Sequence, residues 1–463
     1  MKIKDRIILQ IFFVSCLLGN LVNKSFSQRR IFTPSIYNEE WSASTLNNLE
    51  NNFKKKIAGL SSNNKEEIKK MQTQHWESIA KKFYKKEIYT EADAQKYLDD
   101  VVSEIVKNNP PLQSKTFRCY FSRSEVPNAS FIGECVILFN LGLLDKLKNE
   151  SQLAFILCHE ISHFYLNHVD NSIDEYVATI NSEKMQKELK KIKKKTYNKT
   201  EELNKLVKQF SFSSGRHSRY KEAEADSLGI VFMKNTRFDI SESLTSLAML
   251  DSIDNDTYNV SETLQSTFNS PDYPFQKKWL AKEEGLLGGH TNIEVDNVLA
   301  DSLKTHPDCK VRIKALHQMV EKNKSKTAKN DVINTKFFTE LQERSKYEVV
   351  EYAWAEKNYT KSLYLTLSLL NSKPSDPYLI MQTGRIFNGL YNELKQHTLG
   401  KVTDLPSPWY SPGYNMLLQF IQNLYRENYA QINYHFLKEY SAKLSFYKDF
   451  ETVFEESGKL VQH

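Results

Sequence analysis

The chain has little net charge for its length. Its 463 residues carry a formal charge of only +6 at pH 7. Residues 1–27 contribute four basic residues and one acidic residue to that total, so the rest of the chain is near +3. Proteins that bind nucleic acid present a much larger basic surface. We therefore expect no nucleic-acid partner.

Cysteine is also scarce, with five residues in the whole chain. Leaving Cys16 aside, an even number remains, which permits disulfides in an oxidising compartment. A chain of this length can bury a core without them. Cys119 and Cys135 lie on neighbouring predicted strands and are the expected pair, whereas Cys158 is expected to be a buried thiol.

Beyond residue 28 the sequence lacks any apolar run long enough to cross a membrane. At the start of the chain, Lys2, Lys4 and Arg6 precede an apolar stretch over residues 7–22, and Ser25-Phe26-Ser27 follows it. This order is typical of a signal peptide cleaved after Ser27. An uncleaved anchor is the alternative, because the run falls only slightly short of the about 20 residues that span a bilayer. We expect an exported, periplasmic protein.

What the sequence does contain is a His-Glu-x-x-His motif formed by His159, Glu160 and His163. Residues four apart share one face of a helix, so both imidazoles can reach a single metal ion. Glu160 would then be placed to take a proton from a water on that metal. The segment 149–152 resembles a capping box and predicts a largely apolar, buried helix over residues 150–170. The alternative is a core helix whose histidines bond to backbone carbonyls.

The position of the third ligand distinguishes the classes of such sites. Val169 and Leu166 stand where the metzincin pattern requires histidine and glycine, so that class is excluded. His168 lies off the ligand face, and we expect it at the surface or behind a ligand.

A second segment, residues 218–229, supplies acidic residues with helical spacing. Glu222 and Asp226 are four apart on a helix predicted over residues 218–230. Glu222 can complete a His, His, Glu zinc site with an open fourth position. Asp226 can accept the free N–H of a ligand histidine. Glu224 is the alternative third ligand.

These segments resemble the gluzincin metallopeptidases that include HtpX, the CAAX prenyl endopeptidase, mitochondrial Oma and periplasmic BepA. Ser218, Arg219, Glu222, Ala225 and Asp226 match the family's second motif. Two upstream segments, residues 125–129 and 140–144, resemble its Asn-Ala strand and its Gly-Leu-Leu turn. Downstream, the segment 305–307 followed by Arg312 resembles the His-Pro-x4-Arg segment of the soluble periplasmic branch. The resemblance covers roughly residues 90 to 320.

The resemblance implies that His159, His163 and Glu222 bind zinc, that Glu160 is the catalytic base and that Asp226 supports a ligand histidine. The segment 128–139 would be an edge strand that pairs with an extended substrate backbone, with Asn128 and Ala129 contacting the substrate. His306 would act either as a donor to the reacting carbonyl or as a gate over the metal. The alternative for His306 is a loop histidine that precedes Pro307.

We expect an α+β, mostly α fold with three parts. A signal peptide (1–27) is followed by a minigluzincin-type zinc peptidase domain with a small sheet (28–325) and by an all-α, tetratricopeptide-like domain (326–463). Residues 285–289 are a predicted loop over the cleft, and residues 322–334 are a predicted linker. Ten lysines between Lys184 and Lys208 form a solvated helix face or contact an anionic lipid or acidic partner.

The predicted function is a zinc endopeptidase that acts on misfolded or unassembled envelope proteins, with the C-terminal helices binding an envelope partner. The alternative is a chaperone-like or partner-binding protein whose zinc site is latent or structural. An intact Glu160 favours the first, because a structural zinc site needs no base and usually has four protein ligands.

Overall fold

A computed structural model of the chain describes residues 31–61, 64–195, 197–198, 218–253, 258–281 and 309–462. These residues are mostly helical and contain one three-stranded sheet, which confirms the mostly α, α+β class. The predicted signal peptide and the predicted loop over residues 285–289 lie outside the described residues. The helices are α1 (Glu39–Ala58), α2 (Lys65–Tyr84), α3 (Ala92–Lys107), α4 (Pro110–Gln113), α5 (Leu141–Leu144), α6 (Glu150–Tyr165), α7 (His168–Asn181), α8 (Glu183–Lys194), α9 (218–234), α10 (Glu242–Asp251), α11 (Val260–Thr267), α12 (Cys309–Asn323), α13 (Thr335–Ala355), α14 (Tyr359–Ser372), α15 (Pro377–Lys395), α16 (Pro412–Gln422), α17 (Arg426–Leu444) and α18 (Lys448–Val461).

The sheet has the strand order β1-β3-β2. Strand β1 (Arg118–Ser122) is parallel to β3 (Val136–Asn140), and β2 (Ala129–Phe131) is antiparallel to it. In the register of the second pair, Ser130 faces Leu138. Because β2 pairs on one side only, it is an edge strand of the sheet. Residues 128–139 were expected to form one edge strand, but a turn with Gly133 in a left-handed conformation separates β2 from β3, which is the central strand.

Helices cover both faces of the sheet. Side chains alternate between the faces of a strand, so neighbouring residues enter different cores. Tyr120 and Leu138 pack with α1 and α2 in one apolar cluster. Phe121 and Phe139 pack with α3 and α6 in a larger cluster on the other face. Burial on both faces explains why β1 and β3 read as continuous apolar segments.

Helix α6 carries the His-Glu-x-x-His motif through this larger core. Its N-terminus is capped as the sequence indicates, because the Asn149 side chain accepts a hydrogen bond from the Gln152 N–H at 3.0 Å. The Gln152 side chain accepts from the Lys148 N–H at 2.8 Å, one residue before the cap. All residues from 150 to 162 are buried, and polar groups among them therefore need partners inside the protein.

The helix expected over residues 150–170 is divided into two. Helix α6 ends at Tyr165, and α7 begins at His168. Between them Asn167 adopts a left-handed conformation with φ of 55°, which asparagine tolerates better than most residues and which no α-helix can continue through. The break turns His168 back toward α6.

The predicted linker is attached to α6. The Glu150 carboxylate is fully buried and accepts hydrogen bonds from the backbone N–H groups of Val332, Ile333 and Asn334 at 2.6–2.7 Å, and from the Tyr97 hydroxyl at 3.0 Å. Asn334 in turn caps α13 by accepting from the Phe337 N–H. The linker therefore fixes the start of the C-terminal helices to the motif helix.

Helices α13 to α18 form an aromatic-rich helical array after the linker. Helix α13 belongs to two cores, since Phe338 and Leu341 pack with α6 whereas Val350 packs with α14 to α17. The tetratricopeptide-like character of these helices stays a prediction. No helix in the described ranges is long and apolar enough to span a membrane.

The expectation of a disulfide between Cys119 and Cys135 is wrong. Both thiols are free, as are those of Cys158 and Cys309. Cys119 points into the core from β1, where its register partner on β3 is Ile137. Cys135 precedes β3 in a left-handed conformation and is exposed, so the two side chains do not meet. Cys158 is buried, as expected.

Candidate metal centre

Helix α6 brings the two histidines of the motif to one point. The Nε2 atoms of His159 and His163 lie 3.1 Å apart, one helical turn separating the residues. His159 is almost fully buried, and His163 is partly buried at the wall of a cleft.

Helix α9 places a carboxylate opposite this pair. Glu222 Oε2 lies 3.5 Å from His159 Nε2, and Glu222 Oε1 lies 3.4 Å from His163 Nε2. Within the described residues, these three side chains form the one group whose arrangement could hold a metal ion. Burial raises the pKa of Glu222, but the two histidines and Arg312 outweigh it and hold that pKa well below its usual range.

The spacing of these atoms fits zinc. Tetrahedral zinc with bonds of about 2.0–2.1 Å keeps neighbouring ligand atoms roughly 3.3 Å apart. The three separations of 3.1, 3.4 and 3.5 Å match that edge length. Two imidazole nitrogens and one carboxylate, with no fourth protein ligand among the described residues, are the donor set of an open zinc site.

Asp226 and Arg312 support the first histidine from behind. Asp226 Oδ1 lies 2.9 Å from His159 Nδ1, the ring nitrogen that faces away from the ligand group. The Arg312 guanidinium donates two hydrogen bonds of 2.7 Å to Asp226, and its Nη1 lies 3.3 Å from Glu222 Oε2. Burial raises the pKa of Asp226, but Arg312 and His159 lower it further than burial raises it.

Arg312 was matched to a family motif in the sequence, but its task was not foreseen. It reaches both α9 carboxylates from α12, some ninety residues later in the chain. The position of a residue in a sequence motif does not indicate its contact partner, which is known only once the fold brings the two helices together.

His168 supports the second histidine. Its Nδ1 lies 2.8 Å from His163 Nδ1, and its Nε2 lies 3.5 Å from Glu224 Oε2. Since His168 is only 5% exposed, it stands behind a ligand rather than at the surface. Burial and the neighbouring His163 lower the pKa of His168 to about 4, which favours the neutral ring. Glu224, the alternative third ligand, faces His168 instead of the ligand group.

Glu160 extends between the ligand group and the edge strand. Its Oε2 accepts a hydrogen bond of 2.6 Å from the Phe131 N–H, and its Oε1 lies 3.9 Å from His159 Nε2. Burial raises the pKa of Glu160, although the two histidines and the Phe131 N–H oppose that shift. A buried carboxylate with a raised pKa beside a metal site is suited to accept and return a proton. Sequence reasoning did not foresee the contact with Phe131.

The free edge of β2 faces the same cleft. The Asn140 N–H donates to the Asn128 carbonyl, and the Ile132 N–H donates to the Val136 carbonyl. The backbone N–H and C=O groups that point toward β3 are therefore those of residues 128, 130 and 132. The backbone groups of Ala129 and Phe131 consequently point away from β3. Asn128 and Ala129, expected to contact substrate, line a cleft of about 900 Å³ together with the ligand group.

His306, the expected donor or gate, lies outside the described residues, so its role stays a prediction. The described residues that were expected at the site are otherwise gathered at one cleft. These are His159, Glu160, His163, Glu222, Asn128 and Ala129, whereas Asp226 lies behind His159.

The sequence was compared with protein-family models and with curated proteins. A search of curated proteins found none similar to the chain. Residues 92–320 match the sequence model of peptidase family M48, a family of metallopeptidases. The match includes the edge strand, both motif helices and Arg312. Over residues 92–320, the chain is therefore similar to peptidase family M48.

Proposed function

We propose that the protein is a zinc-dependent endopeptidase. The observation that carries this proposal is the spacing of His159, His163 and Glu222, which matches the edges of a zinc tetrahedron, with the Glu160 carboxylate beside it. The match of residues 92–320 to family M48 supports the metallopeptidase activity.

Nε2 of each histidine and the carboxylate of Glu222 would hold the zinc ion. Bound there, zinc supplies Lewis acidity, which lowers the pKa of water and polarises a peptide carbonyl. Asp226 Oδ1, 2.9 Å from His159 Nδ1, would favour the tautomer with the proton on Nδ1, and Arg312 keeps Asp226 ionised and oriented.

Glu160 would handle the proton. It accepts one proton from the attacking water, whose oxygen forms the new bond to the peptide carbon. It then gives that proton to the departing amine as the C–N bond breaks. Its raised pKa suits both halves of the transfer, because the carboxylate is a stronger base and the acid remains able to protonate an amine.

The free edge of β2 would bind the substrate backbone. An extended peptide can pair with the outward backbone groups of Ala129 and Phe131 as an added strand, and this mode of binding depends little on sequence. Since Glu160 accepts from the Phe131 N–H, the groups of β2 left for a peptide are those of Ala129 and the Phe131 carbonyl, and the base lies beside the strand on which the substrate would pair.

The proposal is tested with purified protein, unfolded casein as substrate and zinc measured by mass spectrometry. We expect stoichiometric zinc and cleavage in the wild type. Glu160→Gln should retain zinc and lose about 10²–10⁴-fold in rate, whereas Glu222→Gln should lose zinc. Glu183→Gln, on the exposed face of α8, is the matched control and should change neither. Equal cleavage by wild type and Glu160→Gln, or a wild type free of zinc, would refute the proposal.

We further propose that the enzyme is exported and acts on misfolded envelope proteins, with α13 to α18 binding a partner. The order of charged and apolar residues in residues 1–27 and the resemblance to periplasmic BepA support this. Fractionation of cells that express the full chain tests the location. Recovery of the protein with its N-terminus intact in the cytoplasm would contradict export.

A further inference from the structure

The cleft continues beyond the ligand group between two helices. Helix α7 contributes Val169 and Ile173 to its wall, and α2 contributes Met71 and His75. Helix α2 precedes residue 92 and so lies outside the match to family M48. The part of this wall that α2 forms therefore lies outside the matched peptidase segment, whereas the part that α7 forms lies within it.

Helix α2 is fixed to the end of the edge strand. His75 Nε2 donates a hydrogen bond of 2.5 Å to the Ile132 carbonyl, one residue beyond β2. Gly133 follows in a left-handed conformation with φ of 79°. A Cβ atom there would lie 2.8 Å from His75 Nε2 and 3.5 Å from Val169 Cγ1, so α2, α7 and the strand end meet at this glycine. The wall consequently stands at a set distance from any peptide paired with β2.

The surface between the helices includes an apolar patch. Met71 and Val169 are partly buried and pack on a small cluster whose buried members are Ile68, Ile173 and Val177. The charged Lys221 at the rim pairs with Glu175 at 2.9 Å and also donates to the Ser172 hydroxyl at 2.9 Å. The wall thus offers contact to an apolar group, and the rim lysine is already neutralised.

We propose that Met71, Val169 and Ile173 form a subsite for one large apolar side chain of an extended peptide substrate. The inference rests on the proposed peptidase function and assigns its specificity. A peptide added to β2 directs alternate side chains to opposite faces, so one series of them points toward the helices that flank the edge. Met71 is unbranched and adapts to different shapes, so the subsite accepts leucine and phenylalanine alike.

The experiment uses a polar peptide in which a single position is varied as Leu, Phe, Asp or Lys and moved along the sequence. Cleavage by the wild-type zinc enzyme gives kcat/KM and the cut position, and titration into Glu160→Gln gives affinity without turnover. We expect Leu and Phe to be preferred over Asp and Lys by on the order of tenfold to a hundredfold, with cleavage at a fixed distance from them.

Variants of Met71 locate the subsite. Met71→Asp should remove the preference for Leu and should raise affinity for the Lys peptide above that of the wild type, a gain that misfolding cannot produce. Met71→Leu should retain the wild-type preference. Met416→Asp, which places the same charge on an exposed helix far along the chain, should also retain it.

The outcomes separate the two proposals. A wild type that binds zinc and peptides with the apolar preference but cleaves none would overturn the peptidase function and leave the subsite standing. Cleavage or binding that is indifferent to the varied side chain would overturn the subsite and leave the peptidase function standing. A Met71→Asp enzyme that folds, binds zinc and keeps the preference for Leu would place the subsite elsewhere and overturn this assignment.

Discussion

Replacement of Arg312 by methionine should strongly destabilise the metal-free protein. The guanidinium is 8% exposed, and Asp226 is 2% exposed, so the pair lies out of solvent. Arg312 donates two hydrogen bonds of 2.7 Å to Asp226 and stands 3.3 Å from Glu222. Methionine fills similar volume but leaves both carboxylates without their cation. Breaking one partner of a buried pair costs about 3–5 kcal/mol, because the other charge stays buried.

The assay is urea unfolding in the presence of a metal chelator, with a double-mutant cycle. We expect Arg312→Met to lower the free energy of unfolding by about 3–5 kcal/mol. In an Asp226→Asn background the same substitution should cost at least about 1 kcal/mol less, since residues in contact are not additive. Lys96→Met, which breaks an exposed i,i+4 ion pair with Asp100, is the control and should cost about 0.5 kcal/mol or less.

Two results would refute the reasoning. A loss below about 1 kcal/mol for Arg312→Met would mean that water or another cation replaces the guanidinium, since buried pairs cost more to break. Additive losses in the cycle would mean that Arg312 and Asp226 stabilise the fold independently, despite their contact.

Two further predictions concern the buried carboxylate of Glu104 and the role of His168 behind His163. Burial raises the pKa of Glu104, but Arg237 and Lys107 outweigh burial and lower the pKa to about 2. The stabilisation that the ionised Glu104 gives is therefore present above about pH 4.5 and is lost as the pH falls toward 2. Because Arg237 is 61% exposed, solvent screening limits this stabilisation to about 1–2 kcal/mol. Glu104→Gln should therefore make the free energy of unfolding, measured with urea from pH 2 to 7, depend less on pH at the acid end. An unchanged slope would contradict the prediction. His168→Phe should weaken zinc binding about 10–100-fold, because it removes the hydrogen-bond acceptor behind His163. Zinc affinity is measured by competition with a chelating dye, and replacement of the exposed His317 by phenylalanine is the control that should have no effect. Unchanged affinity in His168→Phe would contradict a supporting role for His168.

Much of the candidate site could be predicted from the spacing of residues within single helices. Four-residue spacing on α6 fixes the relation of His159 to His163, and the same spacing on α9 relates Glu222 to Asp226. The capped start of α6 could also be predicted, because cap residues act over three or four positions. These features depend on local backbone geometry, which neighbouring residues largely determine.

Contacts between distant segments were not readable. Nothing local indicates that Arg312 reaches Asp226, that the Phe131 N–H holds Glu160, or that Glu150 fixes the linker before α13. Asn167 adopts a left-handed backbone conformation, which ends α6 and turns His168 toward His163. The sequence pattern of this segment nevertheless predicts one continuous helix.

The sequence by itself therefore predicted the candidate metal-ligating residues, the candidate base and the mostly helical class, because each follows from spacing on one helix or from the balance of helical and strand segments. The tertiary structure decided what stands behind each ligand, that the cysteines are unpaired, and that α2 forms a wall of the cleft. Those features require two or more elements to meet, and the free energy that brings them together comes from burying apolar faces across the whole fold. No short pattern records which faces will meet.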